Sequence, residues 1–134
     1  MRIYLAAPLA AADLVRSTRD RLVSAGHELP LDWTEDRSVV ERFASYPEKS
    51  AAMASAMIDA VLAADAVLVL ATGHEGRGMF VELGAALARA QAGSPASIAV
   101  IGEITRESVF FLHPRVARFA TLDDWLATGR TTQT

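Results

Sequence analysis

Ala66-Val67-Leu68-Val69-Leu70 decides the fold. Five apolar residues run without a polar alternation, the pattern of a central parallel strand covered on both faces. On its N-terminal side, residues 48–64 are rich in alanine and methionine and hold no breaker. Met53, Met57, Val61 and Ala64 fall on one face there, so the spacing predicts a helix. On its C-terminal side lies a glycine-rich loop, Thr72-Gly73-His74-Glu75-Gly76-Arg77-Gly78. An apolar helical pattern follows from about Met79 to Ala92.

Working outward, Ile3 to Ala6 reads as a buried strand ending at Ala7-Pro8. Leu14, Val15, Thr18, Leu22 and Ala25 recur at helical spacing over roughly 10–25, and Gly26 is a natural stop. His27 to Leu31 is a weak strand, placed near an edge by Pro30. Residues 32–50 are polar and irregular, with room for one helical turn. A loop of that length is either a functional lid or a surface excursion. Ser97 to Ile101 is another strand, Val109 to Leu112 is apolar but of open type, and Val116 to Phe119 is a last edge strand. Leu122 to Ala127 is a short helix, and 128–134 is expected as a disordered tail. The alternation predicts an α/β fold: a three-layer, Rossmann- or flavodoxin-like domain over 1–127. Its mostly parallel sheet would have about five strands, with helices on both faces.

The chain has 134 residues, 51% hydrophobic and 22% charged, which fits one domain with a real core. It has no cysteine, so a disulfide framework or a thiolate metal site is excluded. The three histidines, His27, His74 and His113, lack metal-ligand spacing, and no metal or cofactor is expected. A net charge of −3 without a basic stripe argues against a nucleic-acid polymer as partner. The start, Met1-Arg2-Ile3-Tyr4-Leu5, does not read as a signal peptide, and no apolar run is long enough for a membrane span. A cytoplasmic setting without a membrane partner is the expectation.

Parallel sheets bind ligands at the carboxyl ends of their strands. Two loops should therefore share a crevice: Ala6 to Ala10 and Ala71 to Gly78. Gly73, Gly76 and Gly78 let backbone approach a ligand, and the helix that follows offers free N–H groups to an anion. Neither GxGxxG nor Gly-Lys-Ser/Thr is present, so the loop is no dinucleotide fingerprint or Walker A loop. Glu82 is a lone carboxylate in an otherwise apolar helix turn. Near the positive end of that helix it is expected to stay ionised, either as a nucleophile or as a surface residue complementing the dipole.

Arg2-Ile3-Tyr4-Leu5-Ala6-Ala7-Pro8 resembles the opening strand and loop of the nucleoside 2-deoxyribosyltransferase family. Ala64-Asp65 with the following strand, Gly76-Arg77-Gly78, and Val81-Glu82-Leu83-Gly84-Ala85-Ala86-Leu87-Ala88 resemble its central motif. Together these span about residues 2–90. The superfamily includes 2′-deoxynucleoside 5′-phosphate N-hydrolases and CMP hydrolases. The resemblance implies that Glu82 attacks the anomeric carbon of a (deoxy)ribosyl group and displaces the base. It implies that Tyr4 holds the nucleophile by a hydrogen bond and that Ala7, Pro8, Gly76 and Gly78 pass close to the substrate. It also implies a homo-oligomer, built on dimers, with Ser108 donated across subunits toward a 5′-phosphate. Arg77 and Arg106 could add charge there.

The chain departs from the family at one position. Many members carry an Asp eight residues before the Asp of the Ala-Asp pair, where it helps protonate the base. Here that residue is Met57. Asp59 is the nearest carboxylate, about 200° further round a helix. Asp32, His74 and Glu75 are the other candidates for the acid. Trp33 is placed either to stack on a nucleobase or to lid the core. The implied activity is cleavage of the N-glycosidic bond of a nucleoside 5′-monophosphate. Base exchange between deoxynucleosides and nucleotide binding without turnover are the rivals.

Overall fold

A computed structural model describes residues 1–35, 42–93 and 97–132. Four strands form one parallel sheet: β1 (Ile3–Ala6), β2 (Ala66–Leu70), β3 (Ser97–Ile101) and β4 (Val116–Phe119), in that spatial order. The registers pair Tyr4 with Val67, Leu68 with Ala99, and Val100 with Arg118. Every residue of β1 and β2 is buried, so both faces of the sheet are covered there.

Four α-helices supply the cover: α1 (Ala12–Ser24), α2 (Pro47–Ala63), α3 (Arg77–Gln91) and α4 (Leu122–Thr132). α1 buries Ala12, Val15, Thr18 and Leu22. It ends where Gly26, at φ +93°, lets His27 N–H turn back to the Leu22 carbonyl at 3.0 Å. α1 meets the α4 side through an Arg21–Asp123 ion pair and a His27–Trp125 ring contact at 5.7 Å. α2 and α3 pack on each other. Arg89 of α3 donates to the carbonyls of Val61 and Ala64 at the end of α2. The methionine stripe expected on α2 does face inward: Met53 and Met57 are half-buried and Val61 is buried.

Three expectations are corrected. The fifth strand, His27 to Leu31, is reduced to one parallel bridge between Arg2 and Glu28. Ile3 N–H donates to Glu28 at 2.8 Å, and the chain then departs toward Pro30, which has no N–H to offer. Two residues along β1, the Leu5 carbonyl is taken instead by the Trp33 indole N–H at 3.0 Å. A side chain thus replaces the missing strand. Secondly, α3 begins at Arg77 rather than Met79. Thirdly, α4 continues to Thr132, through most of the segment expected as a tail. The run 109–112, open in the sequence, is a 3-10 helix, Val109–Leu112. Of the irregular stretch, 36–41 lies outside the described residues, while Phe43–Ser45 forms the single helical turn.

Candidate functional site

The two loops singled out by the parallel topology do meet. A cleft of about 290 Å³ opens at the carboxyl ends of β1, β2 and β3. Pro8 comes from the loop after β1, Thr72 and His74 from the loop after β2, and Arg77 from the start of α3. Arg106 joins the opposite wall to this loop by donating from Nε to the Gly73 carbonyl at 2.6 Å. His74 N–H turns back to the Thr72 hydroxyl at 3.1 Å, which tightens the rim.

Gly76 sits where the loop becomes helix. A Cβ there would lie 2.7 Å from Met79 Cε and 3.1 Å from Met79 Cβ, so only glycine leaves room for the folded methionine. As the residue before α3 it contributes no capping side chain. The first intrahelical bond is Phe80 N–H to Gly76 at 3.1 Å. The N–H groups of Arg77, Gly78 and Met79 precede it, and Gly76, Arg77 and Met79 line the cleft. The mouth therefore presents an electropositive helix end with two guanidinium groups, beside Glu75 and Glu107. Its apolar wall is Phe80, stacked on the buried Phe111 with centroids 5.3 Å apart.

Glu82 is buried, at 7% exposure, on the sheet-facing side of α3 with Met79, Leu83 and Ala86. Its Oε2 has no hydrogen-bond partner among the described residues. Burial pushes the carboxyl up to about 8. That corrects the expectation of an ionised group, and burial explains it. With α3 beginning at Arg77, Glu82 is its sixth residue, beyond the first turn where the dipole acts. Desolvation prevails. The Tyr4 hydroxyl is also buried and without a partner, so the expected Tyr4–Glu82 hydrogen bond is not formed. β1 and α3 are nonetheless in contact. Neither Glu82 nor Tyr4 lines the cleft.

The other expected residues divide. Pro8, Gly76 and Arg77 line the cleft, Ala7 is buried just before Pro8, and Gly78 is exposed in the first turn of α3. Ser108 stands apart. Its hydroxyl accepts the Phe110 N–H at 3.2 Å, and it lines a neighbouring groove of about 340 Å³ with Phe80, Leu83 and Leu87. Asp59 is exposed on α2, so it shares no buried site with Glu82. Trp33 is a core lid, 8% exposed and bonded to β1, and it does not border the cleft.

Asp32 is excluded as the acid by its own contacts. Burial alone would raise its carboxyl. The Thr34 hydroxyl and N–H (2.9 Å) and the Arg19 guanidinium bind it instead and hold it below the ordinary range. His74 and Glu75 remain at the rim. Three wall residues carry no functional signal in the sequence: Met79, Phe80 and Phe111 read there as ordinary core positions. Among the described residues, no three His, Cys, Asp or Glu side chains gather as a metal site, and no helix is long and apolar enough to cross a membrane.

No protein-family model and no curated protein matches the chain.

Proposed function

We propose that the protein cleaves the N-glycosidic bond of a (deoxy)ribonucleoside 5′-monophosphate, with Glu82 as nucleophile. The observation that carries this reading is the buried Glu82 carboxyl, its Oε2 without a hydrogen-bond partner among the described residues, on the helix whose first residues line a cleft at the carboxyl ends of a parallel sheet. A buried polar atom without a partner is destabilising unless it is used. The motif resemblance over residues 2–90 supports the same residue. It also supports placing the fold in the flavodoxin-like class, with the Glu28 bridge as the vestige of a fifth strand.

In the first half-reaction a Glu82 carboxylate oxygen bonds to C1′ of the sugar. The C1′–N bond breaks, its electron pair leaves with the base, and the base nitrogen takes a proton from water or from the rim. In the second, water attacks C1′, its proton passes to solvent, and the ester bond breaks. Free base and sugar phosphate result, and the carboxylate is restored. The Tyr4 hydroxyl is free to donate to Glu82 or to the sugar once the site is filled. The N–H groups at the start of α3, with Arg77 and Arg106, suit the 5′-phosphate. Exposed Leu62, Val81, Val109, Phe110 and Leu112 support a homo-oligomer, in which Ser108 could serve a neighbouring cleft. A cytoplasmic location belongs to the same reading.

A second reading, nucleotide binding without turnover, is favoured by one observation: no carboxylate on α2 stands ready to protonate the base, because Met57 occupies that place and Asp59 is exposed. Chromatography of wild type and Glu82→Ala with ribo- and deoxyribonucleoside monophosphates, nucleosides and an added base separates the cases. Base release from monophosphates that disappears in Glu82→Ala is the expected result. Release only with an added base marks a transferase, and binding without release marks the module.

A further inference from the structure

If Glu82 is the nucleophile, something must bring it into contact with the cleft, because the carboxylate does not line it. Long helical side chains lean back over the preceding turn. Glu82 therefore leans toward the turn carrying Gly78 and Met79. Met79 leans in the same direction, toward Gly76, where its Cε, Cβ and Sδ occupy the space that a Cβ would need. Met79 is 5% exposed, lies three residues before Glu82 on the same buried face, and does line the cleft. Of these two neighbours on the buried face, Met79 is thus the one that borders the cavity. Gly78, on the adjoining helix position, has open space where a Cβ would be. A displaced methionine has room to move along that side. Methionine is suited to such motion, with three rotatable bonds and no branch.

We propose that Met79 is a positioning residue that covers Glu82: folded against Gly76 it closes the carboxylate off from the cleft, and rotated away it admits the substrate's sugar. The inference rests on the N-glycosidase reading for its purpose, but not for its geometry.

The cover also controls the proton on Glu82. Of the elements packed against α3, β1 offers Tyr4 and β2 offers no titratable side chain. α2 carries Glu48, Lys49 and Asp59, all exposed. Desolvation is accordingly what keeps the carboxyl high. Opening Met79 to cleft water relieves it.

The test is made on the intact protein without substrate. The Glu82 carboxyl is titrated by carbon-13 NMR, and its modification by a water-soluble carbodiimide is followed by peptide mass spectrometry. Met79→Ala should bring the titration midpoint down toward the ordinary carboxylate range and change the pH profile of modification to match. Met79→Leu, which keeps the bulk, should stay near wild type. In parallel, the wild-type Met79 ε-methyl resonance should shift with the Glu82 titration and lose that shift in Glu82→Gln. This second measurement needs no core truncation to fold. An unchanged Glu82 midpoint in folded Met79→Ala, or a Met79 methyl indifferent to Glu82, overturns the proposal. A lowered midpoint with no base released from any nucleotide leaves the cover standing and removes the N-glycosidase reading instead.

Discussion

Asp65 clasps Arg2 by both of its hydrogen-bonding arms: its carboxylate accepts the Arg2 N–H at 2.8 Å, and its own N–H donates to the Arg2 carbonyl at 2.8 Å. The Asp65 carbonyl then accepts Ser97 N–H at 3.1 Å. One residue therefore closes the amino ends of β1, β2 and β3, at the end of the sheet away from the cleft. Asp65→Ala removes a charged acceptor and leaves the Arg2 N–H to solvent. A loss of about 1–2 kcal/mol is expected, since Asp65 is exposed and a hydrogen bond to a charged group contributes little more than that. Asp65→Asn, which keeps an acceptor oxygen, should lose less. Urea unfolding of the two variants checks the order, and equal losses would contradict it.

That clasp shows what the sequence could and could not reveal. The strand after Ala64-Asp65 was legible because five apolar residues between polar ends admit few other readings. The role of Asp65 was not, because its partner lies 63 residues away. Helix α3 followed from its apolar pattern, but the burial and the protonation of Glu82 did not, since the same position suited a nucleophile or a surface carboxylate. Both turn on how far the packed structure desolvates the carboxyl, which periodicity does not measure. The fifth strand failed for a related reason. Alternation predicts which residues suit a strand, not that an indole N–H will satisfy the edge instead.

Trp33→Phe tests that replacement. The phenyl ring keeps most of the packing and loses the bond to the Leu5 carbonyl, leaving a buried acceptor on β1 unsatisfied. A loss of about 1–3 kcal/mol is expected. Because Trp33 does not border the cleft, preference among bases should be unchanged where base release is measured. A changed preference with little loss of stability would return Trp33 to the substrate site.

Gly102, just after β3, turns the chain at φ +109°, a region that side-chain-bearing residues rarely adopt. Its N–H donates to the Phe119 carbonyl at 2.9 Å, and a Cβ would lie 3.2 Å from the Ala71 carbonyl oxygen. Gly102→Ala thus combines backbone strain with a contact on the strand end that borders the cleft. A destabilisation of about 1–3 kcal/mol is expected. Gly73→Ala, with open space at its Cβ and no positive φ, should be nearly neutral. Thermal unfolding of the pair separates them, and similar melting temperatures would show that the turn relaxes without strain.

Glu82 makes stability itself depend on pH. Its carboxyl is near 4.5 when unfolded and about 8 in the folded protein. The folded state therefore holds an extra proton between those values, and stability falls as pH rises through that window. The contribution is fully present below about pH 4.5 and is lost as pH passes about 8, with a slope near 1.4 kcal/mol per pH unit between. Glu82→Gln has no proton to exchange, so the difference in unfolding free energy between variant and wild type should widen steadily from pH 5 to pH 8. The same group gives the activity the opposite slope. A nucleophile must be ionised, so kcat/KM for base release should climb with pH through about 8, in the range where the folded protein is losing stability. Urea unfolding across pH for both proteins, set beside the rate profile, decides the matter. A constant gap between wild type and Glu82→Gln would mean that the carboxyl is solvated in solution, and the case for a buried nucleophile would go with it.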